Sequence, residues 1–285
     1  MLTQRIIGWP ETATRRNDMP YIRANGIRIA FDSFGSMNKK PLFLIHGLTG
    51  QRMNMEQTAR LLSDDFFVIT YDCRGHGQTD HPKDYSLADH GRDLLALIDV
   101  LGYEQASVLG ASMGSYIALQ AAEIDPSKIE KLILVTPKSY DDGSGSSIQR
   151  LMKEEGLDMA TASAEQKSRV LKKTMWSPDI TQEQLTAFAP RLKLSGENVV
   201  TLTQEETASV NQALVGFDLR PDLAKVSCGT LVISGTYDRI NPTAFGKEIT
   251  EKLPHAEYTE FPGGHLLNVE FEEDYIRCIR AFLKK

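Results

Sequence analysis

Short apolar runs alternate with longer amphipathic stretches through most of this chain, and this alternation constrains the fold more than any other feature. The runs are continuous in Val, Ile and Leu, as expected for strands with both faces buried. Helices between such strands form right-handed crossovers, so consecutive strands run parallel. The pattern therefore predicts an α/β fold with a mostly parallel sheet and helices on both faces. The runs are PLFLI at 41–45, FFVITY at 66–71, ASVLGA at 106–111, KLILVT at 131–136, TLVISGT at 230–236 and AEYTEF at 256–261.

A hairpin is predicted ahead of this alternation. Two short extended runs, 21–24 and 27–31, flank the dipeptide Asn25-Gly26. Asn-Gly accepts the positive φ angles of a type I′ turn, which matches the twist of the two strands that it joins.

The alternation breaks after Pro137, and this break sets the predicted domain organisation. Residues 137–216 begin with a Gly/Ser-rich stretch and then carry helical periodicity without a convincing strand. We predict that residues 20–136 and 217–285 form the α/β core and that residues 137–216 form a helical cap. Residues 1–19 lack the apolar block of a signal peptide and are expected to be an N-terminal surface extension.

Charge and cysteine content narrow the partners and the compartment. The net charge of −6 argues against nucleic acid, because phosphate backbones are held by clustered Lys and Arg. No stretch approaches the roughly 20 apolar residues that span a bilayer, so no membrane partner is expected. Cys73, Cys228 and Cys278 are odd in number and far apart, which favours reduced thiols in the cytoplasm. Neither a metal nor a cofactor is expected, and the oligomeric state stays open.

The segment Gly110-Ala111-Ser112-Met113-Gly114 lies where a predicted strand must turn sharply into a helix. In this context G-x-S-x-G holds a serine on a strained turn with its oxygen exposed above the sheet. Glycine at positions 110 and 114 permits the close approach of helix and strand. We interpret Ser112 as a nucleophile; the alternative is that it merely caps the helix.

A serine hydroxyl needs a base to accept its proton and an acid to orient that base. His265 follows the last predicted strand, and an imidazole can accept and return a proton at neutral pH. Asp238 follows the strand at 230–236 and is the predicted acid. Asp141 and Asp142 are the competing candidates, although they lie in what looks like a solvated hinge.

Attack on a carbonyl creates an oxyanion, which two backbone N–H groups can stabilise. We expect the N–H groups of Met113 and Leu48 to serve, the latter in the turn His46-Gly47-Leu48-Thr49. His46 itself is expected to brace this turn rather than to transfer protons.

Several further residues invite a functional or a structural interpretation. Met53, Met55 and Trp176 are candidates for an apolar substrate pocket, with core packing as the alternative. Arg52 could bind a substrate carboxylate, although a surface arginine is the simpler expectation. Three other histidines are expected on the surface: His81, His90 and His255.

These motifs together resemble the α/β-hydrolase superfamily from about residue 20 to the C-terminus. The matching segments are HGLTG, YDCRGHGQTD, GASMGS, GTYD and PGGH. The resemblance implies an eight-stranded, mostly parallel sheet with a helical cap after the sixth strand, and it is nearest to the capped esterase, lactonase and carbon-carbon bond hydrolase branch. Two positions depart from the family pattern: Ser115 replaces a frequent glycine, and the usual proline after the base is missing.

The leading hypothesis from the sequence is a carboxylic ester hydrolase that acts on a small ester, thioester or lactone through an acyl-enzyme on Ser112. An enol-lactonase or a carbon-carbon bond hydrolase could use the same three side chains. A non-catalytic ligand-binding protein on the same fold is the third possibility, because fold alone does not determine function.

Overall fold

The computed structural model describes residues 21–141, 147–158, 160–192, 194 and 198–285. The chain enters through a hairpin in which β1 (Tyr21–Ala24) and β2 (Ile27–Phe34) pair antiparallel. Asn25 and Gly26 turn with φ angles of 47° and 79°, as a type I′ turn requires. The predicted hairpin is confirmed, whereas the predicted extension at 1–19 lies outside the described residues.

Eight strands form one sheet in the order β1-β2-β4-β3-β5-β6-β7-β8. The pairs from β4 onward across the sheet are parallel, while β2 is antiparallel to both of its neighbours. The predicted mostly parallel sheet is thus confirmed. The remaining strands are β3 (Pro41–Ile45), β4 (Phe67–Tyr71), β5 (Ala106–Ala111), β6 (Ile129–Val135), β7 (Gly229–Gly235) and β8 (Ala256–Phe261).

Helices of the core cover both faces of this sheet, and further helices lie between β6 and β7. They are α1 (Glu56–Leu62), α2 (Leu87–Val100), α3 (Met113–Ile124), α4 (Ser147–Glu154), α5 (Ala164–Met175), α6 (Gln182–Leu192), α7 (Gln204–Gln212), α8 (Thr243–Lys252), α9 (Leu267–Glu270) and α10 (Glu272–Leu283). Phe43 and Ile45 of β3 belong to one hydrophobic cluster with α2 and α3, and the alternate residues Leu42 and Leu44 belong to another with α1 and α10. Burial on both faces explains why this strand is a continuous apolar run.

Helices α4–α7 follow β6 and precede β7, and we call them, with their described connections, the cap. The chain leaves and re-enters the core side by side, because the Asp141 N–H donates to the Phe217 carbonyl and the Leu219 N–H to the Ser139 carbonyl, both at 2.8 Å. The limits 137 and 216 for this insertion stay a prediction. Among the described residues, no helix has the length and apolar character needed to cross a bilayer.

Candidate active site

Ser112 stands at the turn between β5 and α3 in a conformation that L-residues rarely adopt. Its φ is 53° and its ψ is −119°. The Ser112 N–H donates to the Val135 carbonyl at 2.9 Å, which fastens the turn to the neighbouring strand. Such backbone strain persists only where the surroundings enforce it, and it is concentrated at functional sites.

Gly110 and Gly114 allow the close packing that enforces this turn. A Cβ on Gly110 would lie 2.0 Å from the Gly114 carbonyl oxygen, and a Cβ on Gly114 would lie 2.3 Å from the Ile45 carbonyl oxygen. Both obstacles are backbone atoms that cannot rotate away. The helix start is therefore pressed against β3 and β5 with no room for a side chain.

Asp238 and His265 meet in a buried hydrogen-bonded pair. Asp238 Oδ2 and His265 Nδ1 are 2.7 Å apart, and the Asp238 side chain is fully shielded from solvent. The other carboxylate oxygen accepts the N–H groups of Ile240 and Asn241 at 2.8 and 3.0 Å. Because Asp238 accepts at Nδ1, Nε2 of His265 is left as a proton acceptor.

The structure brings these residues to one edge of the sheet. Ser112 follows β5, Asp238 follows β7 and His265 follows β8, and the carboxyl ends of parallel strands share an edge. Within the described part of the chain, no hydrogen bond joins the Ser112 hydroxyl to His265. In unliganded enzymes such contacts are often long and tighten only with substrate bound.

Two residues that the sequence analysis did not identify support this edge from behind. The Asn241 side-chain amide donates to the Tyr116 phenol and to the Thr136 carbonyl, each at 2.6 Å. Tyr116 lies one helical turn after Ser112, and burial raises the pKa of the Tyr116 phenol. The spacing of four residues between Ser112 and Tyr116 could have indicated that Tyr116 lies near the nucleophile. The contact between Tyr116 and Asn241 spans 125 positions and leaves no local pattern in the sequence.

The turn at 46–49 after β3, called the oxyanion turn because it holds the predicted donor Leu48, approaches the turn at Ser112, called the elbow. A Cβ built on Gly47 would lie 3.5 Å from Ser112 Cβ, and Thr49 has a φ of 58°. Met113 is the first residue of α3, where backbone N–H groups have no acceptor within the helix and the helix dipole favours negative charge. Leu48 belongs to this turn and Met113 begins α3, and their assignment as the oxyanion donors stays a prediction.

His46 braces this turn. Its Nε2 accepts the N–H of Cys73 at 3.0 Å and its Nδ1 lies 2.8 Å from the Gly47 carbonyl, so Nδ1 carries the hydrogen. Burial lowers the pKa of His46 to about 4. The ring is neutral at pH 7 and occupied on both sides, which agrees with a structural role.

Arg52 neither binds an open pocket nor lies on the surface, so both expectations for it were wrong. It is 1% exposed, and its guanidinium contacts Asp32 at 2.9 Å, Gln78 at 2.8 Å and the Asp72 carboxylate. Its backbone N–H also donates to Asp72 at 2.6 Å. Asp72 thus anchors the segment after the oxyanion turn, and no part of this arginine is presented to a substrate.

The three apolar candidates for substrate contact have different fates. Met55 is buried in the core cluster with Leu42 and Leu44, so the pocket interpretation of Met55 was wrong. Met53 is half-buried in the turn before α1. Trp176 follows α5 and stacks on Phe188, with ring centroids 5.7 Å apart; for Met53 and Trp176 a substrate contact stays a prediction.

An open groove of about 610 Å³ lies between the cap and the turn after β7 that carries Asp238. Trp176 and Tyr237 line it, together with four cations, which are Arg169, Lys172, Lys173 and Arg239. Asp238 also lines this groove, whereas Ser112 and His265 do not, and the Asp238 side chain is shielded from solvent. The groove therefore adjoins the candidate site at its acid and does not contain the nucleophile or the base.

The remaining candidates have structural surroundings. Asp141 faces Lys138 at 3.4 Å and accepts the Gly216 N–H at 2.9 Å, so it fastens the base of the cap; Asp142 lies outside the described residues. His90 is 1% exposed, so the expectation that it lies on the surface was wrong.

Comparison with known proteins gives a family match over most of the chain. The model for the alpha/beta hydrolase fold matches residues 40–272. The chain is 26% identical over 275 residues to 3-oxoadipate enol-lactonase 2 of Acinetobacter baylyi, covering 93% of this chain and 96% of that protein. It is also 26% identical over 254 residues to a putative esterase/lipase of Haemophilus influenzae, covering 88% and 85%.

Solved structures show the same architecture. The enol-lactonase from Burkholderia xenovorans superposes with a TM-score of 0.77 at 24% identity, covering 93% of this chain and all of that one. A hydrolase from Pseudomonas aeruginosa has a TM-score of 0.76 at 25% identity, covering 95% of this chain and all of that one.

Proposed function

This chain belongs to the alpha/beta hydrolase fold family, and on that premise we propose that it is a serine hydrolase that cleaves a small carboxylic ester, thioester or lactone. The observation that carries the proposal is the shielded Asp238–His265 pair at 2.7 Å, on the sheet edge that also holds Ser112 in its strained turn. A binding protein needs neither feature. The proteins to which this chain is similar include enol-lactonases, a putative esterase and putative carbamate hydrolases.

In the proposed reaction, His265 Nε2 accepts the Ser112 hydroxyl proton as Oγ bonds to the substrate carbonyl carbon. The N–H groups of Leu48 and Met113 stabilise the oxyanion. When the carbonyl re-forms, the bond to the leaving oxygen or sulfur breaks and the leaving group takes the proton from His265. Water then attacks the acyl group while the same imidazole takes its proton. The acyl–Oγ bond breaks, Ser112 Oγ takes that proton back from His265, and the carboxylic acid is released.

An enol-lactonase is the second candidate, and the match to the Acinetobacter baylyi enol-lactonase over 93% of this chain favours it. The same steps apply to a cyclic enol ester, except that the leaving enolate stays attached to the acyl group. One ring-opened product is then released at deacylation. Met53 and Trp176 are the proposed substrate contacts in either case.

Covalent labelling tests the proposal directly. We expect a fluorophosphonate to label the wild-type protein and Ser115→Ala, but not Ser112→Ala. Ser115 is a stringent control because it is a serine three positions after Ser112 whose hydroxyl donates to the Ser112 carbonyl at 2.6 Å, so its loss tests whether damage to the same turn alone abolishes labelling. Hydrolysis of short p-nitrophenyl esters that persists in Ser112→Ala would contradict the proposal, and a wild-type protein that binds ligand without labelling would favour a receptor.

Changing the acid should expose its role in orienting the base. In Asp238→Asn the side chain keeps its shape but no longer accepts the Nδ1–H, so turnover should fall by about 10⁴-fold.

Ratios of kcat/KM for the wild-type protein across p-nitrophenyl esters, enol-lactones and vinylogous diketones separate ester, lactone and carbon-carbon bond cleavage.

We also propose a cytoplasmic location and a small-molecule partner. All three cysteines are free thiols, which is the usual state in a reducing compartment.

A further inference from the structure

The loop that carries His265 is joined to the cap through backbone groups. The His265 N–H donates to the carbonyl of Met175, the last residue of α5, at 2.8 Å. Gly264, the preceding residue, packs against the same segment: a Cβ there would lie 2.4 Å from the Met175 carbonyl oxygen and 2.6 Å from Trp176 Cα. The loop that carries His265, which we call the base loop, is thus in direct backbone contact with the cap.

The Glu270 carboxylate bridges this contact. One oxygen accepts the Gly264 N–H at 2.8 Å, and the other accepts the Ser177 N–H at 3.1 Å. Gly264 belongs to the base loop and Ser177 to the cap. One half-buried side chain, held at the end of the four-residue helix α9, therefore connects the two.

The chemistry of the bridge requires a carboxylate. Both partners are N–H donors, so both atoms of the bridging group must be acceptors. A carboxylate supplies two acceptor oxygens, whereas a glutamine amide supplies one acceptor and one donor. Hydrogen bonds from N–H groups to an ionised acceptor are also stronger than neutral ones.

We propose that Glu270 is a positioning residue whose carboxylate couples the seating of the cap to the placement of His265. This inference rests on the proposed function, in which His265 is the base. When the cap is seated, Ser177 and Gly264 share Glu270, and Met175 holds the His265 N–H. When the cap lifts, the Ser177–Glu270 and Met175–His265 bonds break together, and the Gly264–Glu270 bond is then the one restraint of this group that still acts on the base loop.

Glu270→Gln is the main test, because it keeps shape and removes one acceptor. Glu273→Gln is the matched control: it makes the same charge change on an exposed residue three positions away. Ser177→Pro removes the cap N–H that Glu270 accepts, and the extended conformation of Trp176, φ −123° and ψ 158°, tolerates a following proline. Each variant and the double variant are compared with the wild type after thermal melting confirms that they are folded.

In Glu270→Gln we expect kcat for p-nitrophenyl acetate, and the rate of fluorophosphonate labelling, to fall by about 10-fold, with KM changed less than about twofold. Ser177→Pro should fall similarly, and the double variant should lose little more than either single variant, because both changes break one bridge. Amide hydrogen exchange of Gly264, His265 and Ser177 should accelerate in Glu270→Gln and not in Glu273→Gln.

Three results would overturn the inference: unchanged exchange in Glu270→Gln, faster exchange with unchanged kcat, or multiplicative losses in the double variant. Failure of the proposed function gives a different result. In that case the wild-type protein neither labels nor hydrolyses ester, and the catalytic consequence of the bridge falls with it, while hydrogen exchange still reports on the bridge itself.

Discussion

The sheet core and the cap differ in how much they bury and in how they are joined. Leu42, Phe43, Leu44 and Ile45 of β3 are all fully buried, whereas the hydrophobic cluster of the cap consists of Leu151, Met152 and Val170 with a few partly buried neighbours. Polar contacts attach the cap to the core around the candidate site. The comparison teaches that the candidate catalytic side chains lie on the more deeply buried part, and that the cap, with fewer buried apolar contacts, is the part expected to open at lower free energy.

Removing a buried ion pair from the core and an exposed one from the cap should give the largest difference in the free energy of unfolding. Arg52→Ala should lower the free energy of unfolding by about 3–5 kcal/mol, because it leaves the buried Asp72 carboxylate without its cation. Lys173→Ala removes an exposed cap pair with Glu155 at 3.0 Å and should cost at most about 1 kcal/mol. Urea unfolding measures both, and equal losses would contradict the comparison.

A glycine pair tests the same contrast in the backbone. Gly110→Ala should cost about 3 kcal/mol and distort the elbow, because its Cβ would meet the backbone of α3 at 2.0 Å. Gly156→Ala in the cap has a positive φ of 68° but no atom within 4 Å of its Cβ, so it should cost about 1 kcal/mol. A Gly110→Ala protein with wild-type stability and ester turnover would show that the elbow is not tightly packed.

Acid should destabilise the core through its buried histidines. Burial lowers the pKa of His46 to about 4 and that of His76 to about 3, and it lowers the pKa of His90 as well. These pKa values lie below the unfolded value of 6.5, so the unfolded state takes up protons first. Stability is therefore full above pH 6.5 and falls below it, by up to about 1.4 kcal/mol per pH unit for each histidine.

His90→Phe isolates one of these protons. Among the described residues, His90 Nε2 has no hydrogen-bond partner. The substitution by phenylalanine therefore removes a titrating group without breaking a hydrogen bond at Nε2. Between pH 6.5 and 5, unfolding measurements should give a slope smaller by about one proton. His255→Gln, at an exposed position, should leave the slope unchanged; a change there would point to the unfolded state instead.

The smallest loss of stability is expected when the hydrogen bonds between Gln51, beside the oxyanion turn, and Val200 of the cap are removed. The Gln51 side chain donates to the Val200 carbonyl at 2.8 Å and accepts its N–H at 3.0 Å. Gln51→Leu should cost about 1 kcal/mol and accelerate hydrogen exchange at Val200, with KM rising a few-fold. The exposed Gln212→Leu is the control, and equal exchange in the two variants would contradict the attachment.

The sequence predicted the fold and the candidate catalytic side chains because their signals are local. Continuous apolar runs predict buried parallel strands, and the glycines around Ser112 report a close approach within five residues. The burial of Arg52 could not be predicted in this way. It depends on Asp32 and Asp72, each 20 positions away, and on Gln78, 26 positions away, and none of them forms a pattern with it.

Contacts that leave no pattern in the sequence also explain the other surprises. Glu270 faces Ser177 across 93 positions, and the buried setting of His90 comes from the packing of His76 and Tyr85 around it. Met55 was misplaced because its position just after the oxyanion turn suggested proximity to a substrate. Its side chain turns inward, which neighbours in sequence do not determine.

The attachments at Met175, Ser177 and Val200 use main-chain atoms of the cap. Any amino acid supplies a carbonyl, and any except proline supplies an N–H. Mutations can therefore change the side chains of the cap that would contact a substrate without breaking the hydrogen bonds that join the cap to the core. Such an architecture lets specificity diversify while the reaction chemistry is inherited unchanged.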